Sequence, residues 1–139
     1  MSLLIQSSAQ ILALQAFLNS ATPQSQTLNL YVNNVTPAET DTAASYTAAT
    51  GGGYAAISLA GASWTYTSGT PSYGSYAQQT WTFTGALTTN PTIYGYFVTQ
   101  ATSGAIMWAE RFGTSFTPAN NGDQLLLTPI IQCGNGTPT

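Results

Sequence analysis

The stretch that decides the fold is Thr92–Phe112, TIYGYFVTQATSGAIMWAERF. Two runs of β-forming residues flank a short Thr-Ser-Gly turn at 102–104, which predicts a β-hairpin. Successive strand residues point to opposite faces of a sheet. In this stretch both alternating sets are apolar, with Tyr96 and Val98 on one face and Ile93 and Phe97 on the other. We therefore expect the hairpin to lie at the centre of a sheet that is covered on both faces.

Shorter segments of the same kind surround the hairpin and bring the total to seven or eight strands. Gly, Pro, Asn and Ser mark the turns between them, a pattern typical of antiparallel sheets. The predicted fold class is all-β, mainly antiparallel, and the sequence leaves open whether it is a β-sandwich or a barrel. We expect one domain over 1–139, with its β core at 27–132 and a loose tail at 133–139. The further strands are predicted at 27–33, 54–59, 63–67, 75–84, 114–117 and 124–132.

The N-terminal segment 1–20 is the one good helix candidate. Its apolar residues recur at helical spacing, and Pro23 ends the pattern. Such a helix either packs across one sheet or docks as an arm on a neighbouring subunit. It lacks the basic start of a signal peptide, so we interpret it as structural.

Composition excludes several classes of partner. Only 4% of the residues are charged, and the chain has one basic residue (Arg111), no Lys and no His. Nucleic acids and anionic membranes are bound through Lys and Arg, so neither is an expected partner. No apolar run is long enough for a membrane helix. So few charges leave little repulsion between copies, which favours a subunit of an assembly.

The charged residues predict structure rather than catalysis. Without His or Lys, the common nucleophilic mechanisms are excluded. A pair of carboxylates such as Glu110 and Asp123 is the remaining route, to glycoside hydrolysis. The alternative, which we favour, is that Arg111 pairs with Glu110, Asp123 or another acid and holds the hairpin to the closing strand. We therefore predict no enzyme and no cofactor.

Two acids in a loop raise the question of a cation site. Glu39 and Asp41 lie two residues apart, and Asp123 follows two asparagines. Calcium takes six to eight oxygen ligands, and neither group matches a known calcium loop. Capping and turn formation explain these residues better, and we predict no metal.

Aromatic side chains around a Gly- and Ser-rich loop are candidates for contacts. Trp64 and Trp81 are predicted to lie in the core. Tyr73 and Tyr76 are the candidate exposed contacts, since aromatic rings next to amides can stack on sugars or anchor a protein interface.

Four segments, LYVNNVTPAETDT, TIYGYFVT, MWAERF and NNGDQLLLTPII, resemble a family of small virion proteins of tailed bacteriophages. The resemblance covers 27–131 and implies a β-rich structural component of the virus particle. Within that family the expected role is a head decoration (cement) protein. It would sit as a homotrimer on the outer head surface and bind the major capsid protein. The alternative is a tail, baseplate or fibre module, with host glycans as ligands.

Overall fold

The computed structural model describes residues 4–5, 25–67 and 72–133. Within these residues the chain forms ten strands and two single-turn 3₁₀ helices, Ala43–Ser45 and Gly61–Ser63. Every strand pairing is antiparallel, which confirms an all-β antiparallel fold. The strands are β1 (Leu4–Ile5), β2 (Gln26–Tyr31), β3 (Ile57–Leu59), β4 (Thr65–Thr67), β5 (Ser72–Ser75), β6 (Gln79–Thr82), β7 (Ile93–Gln100), β8 (Ile106–Phe116), β9 (Gln124–Leu127) and β10 (Ile130–Cys133).

The predicted hairpin forms β7 and β8 of a five-stranded sheet with the order β1-β8-β7-β2-β3. Strand β7 lies between β8 and β2, and its residues 95–98 are buried. These buried residues point to both faces of the sheet. This agrees with the sequence, in which polar and apolar residues do not alternate along the strand. The central position expected for this hairpin is confirmed.

Strict alternation along the hairpin is wrong near both of its ends. At the start of β7 a register shift lies between Ile93 and Gly95, and Ile93 belongs to the larger core with Val98, not to the cluster of Phe97. A second register shift lies between Val98 and Thr99, where β8 contains an extra residue. Such a bulge reverses the facing of the residues beyond it. Ile106 consequently packs with Ala109, whereas the uninterrupted pattern puts it with Trp108.

One face of the five-stranded sheet carries the larger core. Its members from this sheet include Leu28, Leu30, Tyr96, Val98 and Trp108. Side chains from the smaller sheets pack against them, among them Trp81, Phe83, Leu125, Leu127 and Ile131. The hydrophobic contact between the sheets is therefore continuous over this face.

The smaller sheets have the orders β10-β5-β4 and β6-β9. The sequence predicted one closing strand over 124–132, and this is wrong because β9 and β10 belong to different sheets. The break falls at Thr128-Pro129, where proline lacks the N–H that a continuing ladder would need. Strand 75–84 is divided in the same way between β5 and β6.

The opposite face of the five-stranded sheet is covered by a loop, residues 33–46, which we call the covering segment. Val35 and Tyr46 of this segment pack on the sheet beside Tyr31 and Phe97. The Tyr46 ring stacks on Phe97 at 5.2 Å between centroids and meets Tyr31 at 5.1 Å. A loop therefore covers the second face.

The N-terminal helix prediction is wrong at Leu4–Ile5, which form β1 and pair with Ala109 and Trp108. The rest of the predicted helix lies outside the described residues. The predicted tail also lies outside them, apart from Cys133, which ends β10. No helix in the described part of the chain is long and apolar enough to cross a membrane.

Candidate functional site

Arg111 joins the five-stranded sheet to the covering segment. Its two terminal guanidinium nitrogens donate to the Val35 carbonyl oxygen at 2.7 Å and to Asn34 Oδ1 at 2.6 Å. The guanidinium also lies over the Tyr94 ring, 5.3 Å from its centroid. The predicted pairing of Arg111 with a carboxylate is therefore wrong. The guanidinium instead donates to a carbonyl and an amide oxygen and lies over an aromatic ring.

Glu110 has a different partner on the other face of the sheet. Tyr96 lies directly opposite it on β7, and the Tyr96 hydroxyl donates to Glu110 Oε2 at 2.7 Å. Burial raises the pKa of Tyr96, and the hydrogen bond to the Glu110 carboxylate raises it further. Glu110 thus accepts a hydrogen bond from a buried tyrosine, and its partner is not Arg111.

Asp123, the third predicted ion-pair residue, closes a turn. Its Oδ2 accepts from the backbone N–H groups of Ala119 and Asn120, both at 2.8 Å. These two hydrogen bonds lower the pKa of Asp123, because they favour the ionised form. Gly122 next to it has φ +95°, as the Asn-Gly signature predicted. The role of Asp123 in this structure is local.

Tyr31 packs directly on Gly95 beneath the covering segment. A Cβ added to Gly95 would lie 2.6 Å from the Tyr31 ring and 2.1 Å from the Glu110 carbonyl oxygen. Only glycine fits there. Burial raises the pKa of Tyr31 to about 12, and nearby Arg111 lowers it less than burial raises it. The Tyr31 hydroxyl donates to the Val35 carbonyl oxygen at 3.5 Å, so a tyrosine with a raised pKa contacts the covering segment.

An open cleft of about 640 Å³ lies between the covering segment and the β7–β8 turn. Glu39 and Asp41 both line it, opposite Ser103 and Gly104. Asp41 Oδ2 accepts from the Ala38 N–H at 2.8 Å and from the Tyr46 hydroxyl at 2.6 Å. Among the described residues no group of three potential metal-ligating side chains comes together. Asp41 has the turn-forming role that the sequence favoured.

The two candidate contact tyrosines differ in their surroundings. Tyr73 on β5 is 37% exposed, whereas the Tyr76 ring packs edge-on against Trp64 at 5.3 Å. The Tyr76 hydroxyl also accepts from the Ala60 N–H at 3.1 Å. Of the two, Tyr73 presents its ring to solvent.

The two tryptophans predicted to be core residues lie inward. Trp81 is buried and its Nε1 donates to the Ala55 carbonyl oxygen at 2.9 Å. Trp64 is half-buried, and its Nε1 donates to Gln26 Oε1 at 2.8 Å.

Sequence reasoning missed two exposed apolar side chains, one on β9 and one on β10. Leu126 is 51% exposed and Ile130 is 37% exposed, although both lie in a run that reads as continuously buried. Ile130 lies opposite Ser75, and Gln132 lies opposite Tyr73, so these four residues share the outer face of the β10-β5-β4 sheet. We call Tyr73, Leu126 and Ile130 the outer apolar residues.

Comparison with protein-family models, with curated proteins and with solved structures finds no match to this chain.

Proposed function

We propose that this chain is a virion structural protein of a tailed bacteriophage, and within that class a head decoration protein. The proposal has two supports. One is the resemblance of 27–131 to small phage virion proteins. The other is an outer surface with exposed apolar side chains and almost no charge.

The observation that carries a role in protein–protein contact is the placement of the outer apolar residues. Leu126, Ile130 and Tyr73 are the large apolar side chains that the described part of the chain leaves exposed. No charged residue lies on β5, β9 or β10. Apolar surface flanked by neutral polar groups is the usual composition of an interface core.

A decoration protein of this kind would act by linkage. A partner that binds the assembled head and not its free subunits shifts the equilibrium towards the assembled state. The contacts proposed are with the major capsid protein and with copies of this chain in a homotrimer, arranged on the outer head surface. For the domain we propose a β-sandwich, with the smaller sheets packed on the larger core face of the five-stranded sheet.

The second candidate is a tail, baseplate or fibre module that binds host glycans. Tyr73 favours it, because its exposed ring faces the same side as Gln132, and an aromatic ring beside an amide suits a sugar. Tyr73→Ala would then reduce adsorption to host cells, and Tyr76→Ala would serve as the comparison at a ring that packs inward. Unchanged adsorption by Tyr73→Ala would exclude this candidate.

The deciding experiment counts copies of this chain in purified particles of the phage that encodes it. Quantitative mass spectrometry would give the ratio to the major capsid protein. Hundreds of copies are expected for a decoration protein. A few to a few dozen would support the tail or fibre candidate, and none would overturn the virion proposal.

A further inference from the structure

One edge of the β6-β9 sheet has no partner within the described residues. β9 pairs with β6 on one side only. The Phe83 N–H donates to the Asp123 carbonyl at 2.8 Å, which fixes the alternation of hydrogen bonds along this pair. In an antiparallel ladder the backbone groups of Leu125 and Leu127 then point at β6, and those of Gln124 and Leu126 point away from it. Leu126 therefore offers backbone groups that no described residue pairs with, together with a side chain that is 51% exposed.

The β9 edge also lacks the charges that normally protect an exposed strand. Natural edge strands carry Lys or other charged side chains that prevent pairing with another chain. Residues 124–132 contain no charged side chain, and neither does β6. The edge is thus open to an uncharged strand.

We propose that β9 pairs edge to edge with β9 of a second copy of this chain, antiparallel, with Leu126 of each copy opposite Leu126 of the other. In a contact with two-fold symmetry the same neutral surface of each copy meets its counterpart, so no second, complementary surface is needed. This register places the two half-exposed leucines side by side. It also places Gln124 opposite Thr128, a neutral polar pair.

The charge distribution determines where a second copy can bind. Two copies, each with a net charge of −3, repel each other least where neither is charged, and the β9 edge is such a surface. In the proposed register the nearest acids, the two Asp123 residues, are six residues apart along the pair. At ~3.3 Å per residue this is about 20 Å, well beyond the Debye length of ~8 Å at physiological salt. No like charges oppose one another across the contact.

The contact is small and acts through repetition. Two four-residue strands bury far less than the ~1,200 Å² of a stable interface, so the pairing is weak on its own. On a surface that holds many copies, weak contacts add through their high effective concentration. Because the axis is two-fold, it would connect a subunit of one trimer to a subunit of the next. The pairing itself does not depend on the virion proposal and is tested with the purified chain alone.

Cross-linking tests the register. The single native thiol is first removed by Cys133→Ser, and one new thiol is introduced by Leu126→Cys or, as the matched control, by Thr80→Cys. Thr80 lies directly opposite Leu126 on β6 and faces the same side. Across the proposed pair the two Thr80 positions are three strand spacings apart, about 14 Å, while the two 126 positions are about 5.5 Å apart. A short bismaleimide should link Leu126→Cys chains in pairs and leave Thr80→Cys chains single. Equal linking of both variants, or no linking of either, would overturn the proposal.

Sedimentation equilibrium tests the energetics. Leu126→Lys places like charges opposite each other and should raise the dissociation constant of the pair at least tenfold. Thr80→Lys adds the same charge one strand away and should change it by less than about threefold. Far-UV circular dichroism would check that both variants fold. A wild-type chain that shows no two-fold association at millimolar concentration, or a Leu126→Lys chain that pairs like the wild type, would overturn the proposal. The count of copies per particle does not enter either result.

Discussion

Arg111 should stabilise the fold through neutral acceptors, and its replacement gives the sharpest test of the structure. Hydrogen bonds from a charged donor contribute about 1.5–3 kcal/mol each, and a cation–π contact at a solvent-accessible ring about 0.5–1 kcal/mol. Asn34 is exposed, so water replaces that bond after mutation. The bond to the half-buried Val35 carbonyl is harder to replace. Arg111→Ala should therefore lower the free energy of unfolding by about 3 kcal/mol.

Urea unfolding, followed by tryptophan fluorescence, measures this loss directly. Arg111→Lys keeps the charge but cannot reach both acceptors, and it should lose about 1–2 kcal/mol. Asn34→Ala removes only the exposed bond and should lose about 0.5–1 kcal/mol. This series separates the two-acceptor geometry from the charge alone.

Salt distinguishes this geometry from the ion pair that the sequence predicted. An exposed ion pair weakens as salt rises, whereas hydrogen bonds to a carbonyl and an amide are little affected by screening. The loss in Arg111→Ala should be the same at low and high salt, and it should persist in a Glu110→Gln background. A loss under ~1 kcal/mol, or one that disappears at high salt, would refute the assigned contacts.

Three further predictions concern the sheet and its core. Gly95→Ala should lower the free energy of unfolding by about 3 kcal/mol or more, because its Cβ would meet the Glu110 carbonyl and the Tyr31 ring. Gly113→Ala has open space around its Cβ and should cost far less in the same urea assay. The pKa of Tyr31 is raised from 10.0 to about 12, so the folded state holds the hydroxyl proton more tightly than the unfolded chain does. The stability that Tyr31 contributes in this way is complete below pH 10 and is lost between pH 10 and about 12. That loss is about 1.4 kcal/mol per pH unit, and a Tyr31→Phe chain with the wild-type slope of stability against pH would contradict it. Trp81→Phe should cost about 1–3 kcal/mol more than Trp108→Phe, because Trp81 Nε1 donates to the Ala55 carbonyl oxygen. Trp108 Nε1 is buried and makes no well-formed hydrogen bond among the described residues, although it lies near enough to the Tyr96 hydroxyl to lower the pKa of that group. Equal losses in urea melts would mean that the Trp108 N–H is hydrogen-bonded in solution.

The parts of the fold that follow from local alternation could be predicted from the sequence. The hairpin of β7 and β8, its central position and the burial of Trp81 all depend on side-chain type and spacing. The division of 124–132 could not be predicted in full. Its apolar residues are consecutive, so alternation does not say which face each one takes, and Pro129 indicated only that the strand is interrupted there. The exposure of Leu126 therefore needed the structure.

The partners of Arg111 could not be predicted because they depend on contacts far apart in the chain. Val35 lies 76 residues before Arg111 and meets it only because the covering segment crosses the sheet. Counting charges suggested one of the four acids, since an opposite charge is the usual partner of a guanidinium. Backbone carbonyls appear in no residue count, so a composition argument cannot weigh them.

Neutral hydrogen-bonding groups are the partners that the structure gives to four charged side chains, namely Arg111, Glu110, Asp41 and Asp123. Arg111 on β8 donates to a carbonyl and an amide of the covering segment. Within that segment Asp41 accepts from the Ala38 N–H and from the Tyr46 hydroxyl. Such contacts are nearly independent of salt. The hydrogen bonds that Asp123 accepts lower its pKa, so their contribution is lost as the pH falls into the acid range. The shortage of charge in the chain also leaves the β9 edge open to the pairing with a second copy that we propose. We therefore expect the stability of the chain to respond weakly to salt and its self-association to respond strongly to a single added charge at Leu126.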